Sequence, residues 1–347
     1  MPDTASQFPV TDQLTLNTIV QRGMAQHWVP GVIAGVWAGD AGWTTAQGHA
    51  DLHTAEPMML DGHIRIASVS KTFVATVLLQ LIAEGKAALD DVLEQYVPGV
   101  PNGDRITLRH LLGMTGGLFN YVDDAEFDPA YTSDPLMPFS DAQFLQIMQR
   151  NEPKFAPGEG VEYSDSNYYL LGMVIERLTG RSAAQEIDDR IIQPLGLTGT
   201  SLPDSPAMPS PAPRGYAASP GSKDLRDLTE SSARVPWTAG AMISTLEDLR
   251  TWSRALATGA LLTPEMQRER LTMSVLPLGE DLRFGYGLGI MEWNGWLGHA
   301  GAIFGYSTWM LHHPEKDATV VVLANRGETQ QEFASAITFE ILQTFFA

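Results

Sequence analysis

The chain has 347 residues, 44% of them hydrophobic and 18% charged, with a formal net charge of -19 and no cysteine. That length and balance describe a globular chain with apolar material for a large core, neither fibrous nor disordered. The negative field argues against nucleic-acid and anionic-lipid partners, and the missing thiols exclude disulfides, cysteine nucleophiles and cysteine-ligated metal sites.

In chain order, the first ten residues lack a basic stretch followed by an apolar one, and no apolar run is long enough to cross a membrane. Neither a signal peptide nor membrane insertion is therefore expected. Thr11-Asp12 reads as a helix cap, with Leu14, Ile19, Val20 and Met24 at helical spacing until Pro30-Gly31 ends the pattern. Residues 32–38 and 42–48 read as strands joined by a turn at Gly39-Asp40-Ala41-Gly42. Residues 70–83 form the clearest helix, with Val74, Val77, Leu78, Leu81 and Ile82 on one stripe and Gly85 as its C-cap. Helices are expected over 108–114, 142–149, 168–178 and 187–192, separated by loops rich in proline and glycine, and an irregular excursion over 201–222. Residues 246–256 read as a helix, with Ser244-Thr245 and Glu247 as a capping arrangement. The period then becomes strand-like over 286–291, 296–299, 306–312 and 319–325, before a closing helix over 329–346. Strands at both ends and helices between them imply one antiparallel sheet assembled from distant segments, with no internal repeat.

Three places carry residues suited to chemistry. Ser68-Val69-Ser70-Lys71 is an S-x-x-K at a helix start, which puts hydroxyl and amine on one face. A serine hydroxyl needs a neighbouring amine to take or relay its proton, and a lysine with an ordinary pKa of ~10.4 must be buried or sit near cations to do so. Of five lysines, only Lys71 has a serine three residues before it. Tyr163-Ser164-Asp165 follows Pro157-Gly158-Glu159; a tyrosine facing a serine–lysine pair can carry the proton as phenol or phenolate. His299-Ala300-Gly301 ends an expected strand, where glycine admits a ligand close to the backbone and the strand edge can bind an extended substrate. Taken singly, each has a plainer reading as well: a helix cap with a solvated lysine, a core tyrosine, a turn histidine.

Their order and flanks resemble those of the class C β-lactamase and DD-peptidase family of penicillin-recognising serine hydrolases. Ile64-Arg65-Ile66-Ala67-Ser68-Val69-Ser70-Lys71-Thr72-Phe73 resembles the family's nucleophile segment. Leu111-Leu112-Gly113-Met114-Thr115-Gly116-Gly117-Leu118 is similar to its L-L-x-H-T-S-G-L loop, departing at Met114 and Gly116. Tyr163-Ser164-Asp165-Ser166-Asn167-Tyr168-Tyr169-Leu170-Leu171-Gly172 resembles Y-S-N-x-N-Y-x-L-L-G, and the segment from Ala239 to Leu249 resembles A-G-G-x-x-S-T-x-x-D-L. His299-Ala300-Gly301 is similar to the H-T-G form found in D-alanyl-D-alanine carboxypeptidase-like members, where β-lactamases carry K-T-G. The likeness runs over about residues 12–346.

The resemblance implies an α+β fold, with an antiparallel sheet flanked by N- and C-terminal helices plus an all-helical lobe. Residues 1–85 with 235–347 would form the sheet lobe, 86–234 the mainly helical lobe, and the active site the cleft between them. It implies Ser68 as the acylated nucleophile, Lys71 as its proton partner and Tyr163 as the shuttle to leaving group and water. His299 would complete the network, and the backbone N–H of Ser68 with one from residues 300–303 would form the oxyanion hole. Ala300, Gly301, Trp237 and Arg283 are implied at the substrate, Arg283 as the cation for a terminal carboxylate. Asp165 departs from the family's asparagine and has lost its donor NH2; it could pair with Lys71, keep it protonated and leave Tyr163 as the main base, or it could favour esters over amides.

The implied activity is that of a carboxypeptidase on D-alanyl-D-alanine peptides through an acyl-enzyme. The alternatives are an esterase or amidase on small acyl substrates, a β-lactamase, and a binding protein without catalysis. The substrate would be a small molecule or peptide, with no metal and no cofactor. The family leans periplasmic or secreted, whereas a complete chain without a signal would be cytoplasmic; the sequence does not disclose an oligomeric state. Competing patterns fail: Ser164-Asp165 continues with Ser166 rather than completing S-D-N, Gly305-Tyr306-Ser307 lacks the closing glycine of G-x-S-x-G, and no H-E-x-x-H is present.

Overall fold

The computed structural model describes residues 6–218, 224–278, 282–328 and 333–347. Helix α1 (Val10–His27) leads to the strands β1 (Gly31–Ala38) and β2 (Ala41–Asp51), then to α2 (Ser70–Ala83). The middle of the chain carries α3 (Leu108–Leu112), α4 (Phe127–Ser133), α5 (Asp141–Arg150), α6 (Asp165–Thr179) and α7 (Leu246–Thr258). The last part supplies β3 (Ser274–Leu278), β4 (Leu282–Tyr286), β5 (Met291–Trp293), β6 (Trp296–Ile303), β7 (Tyr306–His313), β8 (Ala318–Ala324) and the closing helix α8 (Phe333–Phe345).

The strands form one ten-stranded sheet, in the order Ser6–Gln7, β2, β1, β8, β7, β6, β5, β4, β3, with Glu56–Pro57 paired to β2 off that path. All pairs are antiparallel except that of Ser6–Gln7 with β2. The first and last long strands of the chain meet inside the sheet, where β1 and β8 pair from Ala38↔Ala318 to Val32↔Ala324. Helices α1 and α8 cover one face and α7 the other. Covering on both faces explains why β1, all but Ala38 buried, and β8 read as continuous apolar runs rather than alternating ones, and why β7 is buried throughout, its Ser307, Thr308, His312 and His313 included. Among the described residues, no helix is long and apolar enough to cross a membrane.

Several local expectations are corrected. Helix α1 starts at Val10 behind Pro9, so Thr11 and Asp12 lie in its first turn and do not cap it. The stripe on α2 understates its burial: most of the helix is enclosed on every side. Thr245 caps α7, but its partner is the N–H of Asp248 rather than anything from Glu247. Residues 187–192 mostly form a π-turn, Asp188–Ile192, after a short helix, Ala183–Ile187. The strand expected over 286–291 is in fact the end of β4 and the start of β5, with a turn between them where Gly289 takes φ +74°. Strand β3 was not foreseen; its Pro277 weakens a strand pattern, and it is tolerated because β3 is the sheet's edge. Of the closing helix expected over 329–346, residues 329–332 lie outside the described residues.

Candidate active site

Ser68 stands on a single 3-10 turn, Ala67–Val69, that feeds into α2. Ala67 takes φ +48°, a strained conformation for a residue with a side chain. Bonds from outside hold it: Ile66 N–H donates to Met242 O at 2.9 Å, Met242 N–H to Ser70 Oγ at 3.1 Å, and Ser70 Oγ–H to Ala67 O at 2.6 Å. The segment from Ala239 to Met242 thus clamps the nucleophile turn.

Lys71 is wholly buried beneath Ser68. Its ammonium donates to Ser68 Oγ at 2.8 Å, Asp165 Oδ1 at 2.6 Å and Ala239 O at 2.7 Å. As an ammonium, with three donors and no acceptor, Lys71 spends all of them and presents a proton to Ser68; as a neutral amine it would donate to Asp165 and Ala239 O and accept from Ser68. Burial pushes the amine below its ordinary 10.5, while the charge and hydrogen bond of Asp165 push it back up.

Tyr163 enters the site from the stretch before α6, with the Lys71 Nζ 4.9 Å from its ring centroid. Neighbouring bonds fix that stretch. Glu162 N–H donates to Met114 O at 3.0 Å, Asn167 Nδ2–H to Ser164 O at 3.1 Å, and Asp165 N–H to Asn120 Oδ1 at 3.0 Å. Asn167 is buried at the start of α6 against Met114, away from the position Asp165 holds.

His299 lies on β6, its ring centroid 6.2 Å from that of Tyr163. Its Nδ1 is 2.6 Å from Ala300 O and its Nε2 3.2 Å from Tyr286 Oη. A carbonyl only accepts, so Nδ1 carries the hydrogen. Burial above all, and then the charge of Lys71, depress the imidazole to about 3. The ring is therefore neutral, its Nε2 accepts, and Tyr286 donates to it. His299 offers the cleft neither charge nor N–H.

The strand edge beside Ser68 follows from register. The two-residue turns Phe304–Gly305 and Asn294–Gly295 make Ile303↔Tyr306 and Trp293↔Trp296 hydrogen-bonded pairs. Odd-numbered residues of β6 therefore bond β7, and Trp296 and Gly298 bond β5. Strand β5 stops pairing at Met291↔Gly298, which leaves the Ala300 and Ala302 backbone on an open edge. Gly301 faces the nucleophile turn: a Cβ there would lie 2.4 Å from Ile66 O and 3.0 Å from Ser68 N.

Ser68, Tyr163, Asp165, His299 and Ala300 all line one cleft of about 990 Å³. Trp237 does not line it; its ring packs on Tyr169 at 5.0 Å and under the Arg234 guanidinium at 4.0 Å, in the core against α6. Arg283 lies on β4, and its side chain is outside the described residues. Sequence reasoning missed Asn120, Asp123 and Tyr286. Asn120 and Asp123 follow directly after the Leu111–Leu118 loop and could have been nominated as its polar continuation; nothing local marks Tyr286.

The family model described as Beta-lactamase matches residues 16–345. Penicillin-binding protein 4* of Bacillus subtilis is 26% identical over 335 residues, covering 93% of this chain and 73% of that one. A D-aminopeptidase of Brucella anthropi is 28% identical over 299 residues, covering 85% of this chain but only 56% of its own length. Among solved structures, a D-stereospecific amidohydrolase from Streptomyces superposes with a TM-score of 0.85 at 30% identity, covering 97% of this chain and 99% of that one.

Proposed function

We propose that this chain, which belongs to the β-lactamase family and is a serine hydrolase, cleaves amides or short peptides that carry a free ammonium group, through an acyl-enzyme on Ser68. The observation that carries this reading is the charge of the cleft. Asp123, Asp128 and Asp165 supply carboxylates to its lining, and no described lining residue is a lysine or arginine. Asp165 is spent on Lys71, so the other two leave the mouth negative, which draws in a cation and repels a terminal carboxylate. The names D-aminopeptidase and D-stereospecific amidohydrolase among the similar proteins accord with it.

In this reading Ser68 Oγ attacks the carbonyl carbon as its proton passes to Tyr163, whose phenolate is stabilised by the ammonium of Lys71. Negative charge on the carbonyl oxygen meets the N–H groups of Ser68 and Ala302. Tyr163 then returns the proton to the leaving nitrogen, the C–N bond breaks, and water cleaves the ester on Ser68 by the same route in reverse. The H-x-G pattern and the similarity to penicillin-binding protein 4* favour, as a second reading, a carboxypeptidase on D-alanyl-D-alanine peptides. That reading requires a cation for the substrate carboxylate.

Kinetics on a D-amino-acid amide, its N-acetylated counterpart and an acyl-D-alanyl-D-alanine peptide separate the two, with Ser68→Ala as the blank. The free-amine amide is expected to be cleaved at least about tenfold faster in kcat/KM than its acetylated form, the equivalent of ~1.4 kcal/mol. Preference for the carboxylate-bearing peptide would overturn the reading. Asp123→Asn is expected to raise KM for the free-amine substrate by at most about fivefold, since an exposed ion pair is worth ~0.2–1 kcal/mol, and to leave the acetylated substrate unaffected.

A further inference from the structure

Behind the catalytic groups runs a buried polar line that the reaction itself does not use. Tyr286, at the end of β4, is fully buried, as are Tyr168 on α6 and His299 on β6. The Tyr286 ring is set edge-on between two site residues: its centroid is 5.7 Å from that of His299 at 86° and 6.2 Å from that of Tyr163 at 87°. The turn that follows Tyr286 is fastened from several sides. Gly287 N–H donates to Ile290 O at 2.9 Å, Leu288 N–H to Arg270 O at 2.9 Å, and Gly289 N–H to Leu112 O at 3.2 Å. Tyr168 Oη–H donates to that same Leu112 carbonyl at 2.9 Å, so towards the Tyr286 phenol Tyr168 can only accept. With the His299 hydrogen on Nδ1, Nε2 can only accept, so the Tyr286 hydroxyl is the donor of the 3.2 Å bond between them, with Tyr168 Oη as a competing acceptor.

We propose that Tyr286 is a positioning residue of the acylation site: its O–H locks His299 in the Nδ1–H tautomer, and through the bond from Nδ1 to Ala300 O it fixes the open strand edge that presents Ala302 N–H. Both imidazole nitrogens are then committed, one to the phenol and one to the backbone, and the ring cannot turn without losing both bonds. The same phenyl ring walls Tyr163, so one side chain sets the orientation of two groups beside Ser68. Tyr286→Phe keeps the ring and its packing but removes the donor. Nε2 is then free to take the hydrogen, Nδ1 ceases to donate, and the Ala300 carbonyl loses its tether.

The kinetic part of the test rests on the acyl-enzyme reading, whereas the spectroscopic part needs no substrate, so failure of one is distinguishable from failure of the other. Long-range proton–nitrogen spectra of protein labelled with 15N-histidine, with His299 assigned by its loss in His299→Gln, report the tautomer directly at neutral pH. The native protein is expected to show His299 protonated on Nδ1 alone. In Tyr286→Phe a substantial share of the hydrogen should move to Nε2, with kcat lowered about tenfold and KM changed less than about twofold, a milder loss than the ~10²–10³ for deleting an oxyanion-hole donor outright. An Nε2–H tautomer in the native protein overturns the proposal, and that observation stands even if the variant fails to fold. So does a folded Tyr286→Phe whose His299 signal or kcat is unaltered.

Discussion

Gly301→Ala is expected to lower kcat/KM by about 10²-fold while leaving most of the fold in place, the loss arising from displacement of the nucleophile turn. The added Cβ would sit 2.4 Å from Ile66 O and 3.0 Å from both Ala67 Cβ and Ser68 N. Two of these three are backbone atoms of the turn that carries Ser68, so no side chain can swing aside to relieve them. The turn has little slack of its own, since Ala67 already occupies a positive φ and Ile66 and Ser70 are bonded to Met242. The strand is equally fixed, paired to β7 at Gly301↔Thr308. Relief therefore comes only by moving Ser68 away from the edge that bears Ala302 N–H, and a shift of ~1 Å in such a geometry is worth about 10² in rate. Labelling by a fluorophosphonate, steady-state kinetics and a thermal melt together check this. Unaltered kcat/KM would mean that the close approach of β6 to the Ser68 turn does not set the reaction geometry.

What the sequence revealed and what it hid divide along physical lines. Ser68 and Lys71 were legible together because one helical turn fixes their separation, whatever the rest of the chain does. The sheet's inner strands were legible because burial on both faces demands apolar runs, as in the Thr-Val-Val-Val-Leu of β8. Tyr286 was not legible: its contact with His299 arises from the registers Tyr286↔Met291 and Met291↔Gly298, across an intervening strand whose existence the glycine-rich turn concealed. The orientation of Trp237 was hidden in the same way, since only the packing of α6 against the Trp237–Gly240 turn turns the indole from the cleft towards Tyr169. Asp165 lies between these cases. Its identity was plain and its pairing with Lys71 could be posed as one option, but only the fold, bringing residues 94 positions apart to 2.6 Å, selects it.

That pair yields the sharpest test of which group takes the serine's proton. Asp165→Asn is expected to move the alkaline limb of the kcat/KM profile down by roughly 1–3 pH units, the usual effect of an adjacent opposite charge. Burial already lowers the Lys71 amine from 10.5, and Asp165 is what restores it, so the variant's lysine loses its proton at a lower pH. If the ammonium is needed to stabilise the Tyr163 phenolate and to hold Ser68 Oγ, activity falls with that proton. If a neutral Lys71 were instead the base, the same substitution would raise activity near neutrality and shift the acid limb downward. Stability provides an independent check of sign. A lysine whose folded pKa lies below its unfolded value binds fewer protons folded than unfolded between those two values, so stability rises with pH across that window. In Asp165→Asn the window opens at a lower pH, and the buried charge left below it costs up to about 3 kcal/mol. The variant should therefore melt below the native protein at neutral pH and approach it as pH nears 10.5. A constant gap across that range would show that the carboxylate does not govern the protonation of Lys71.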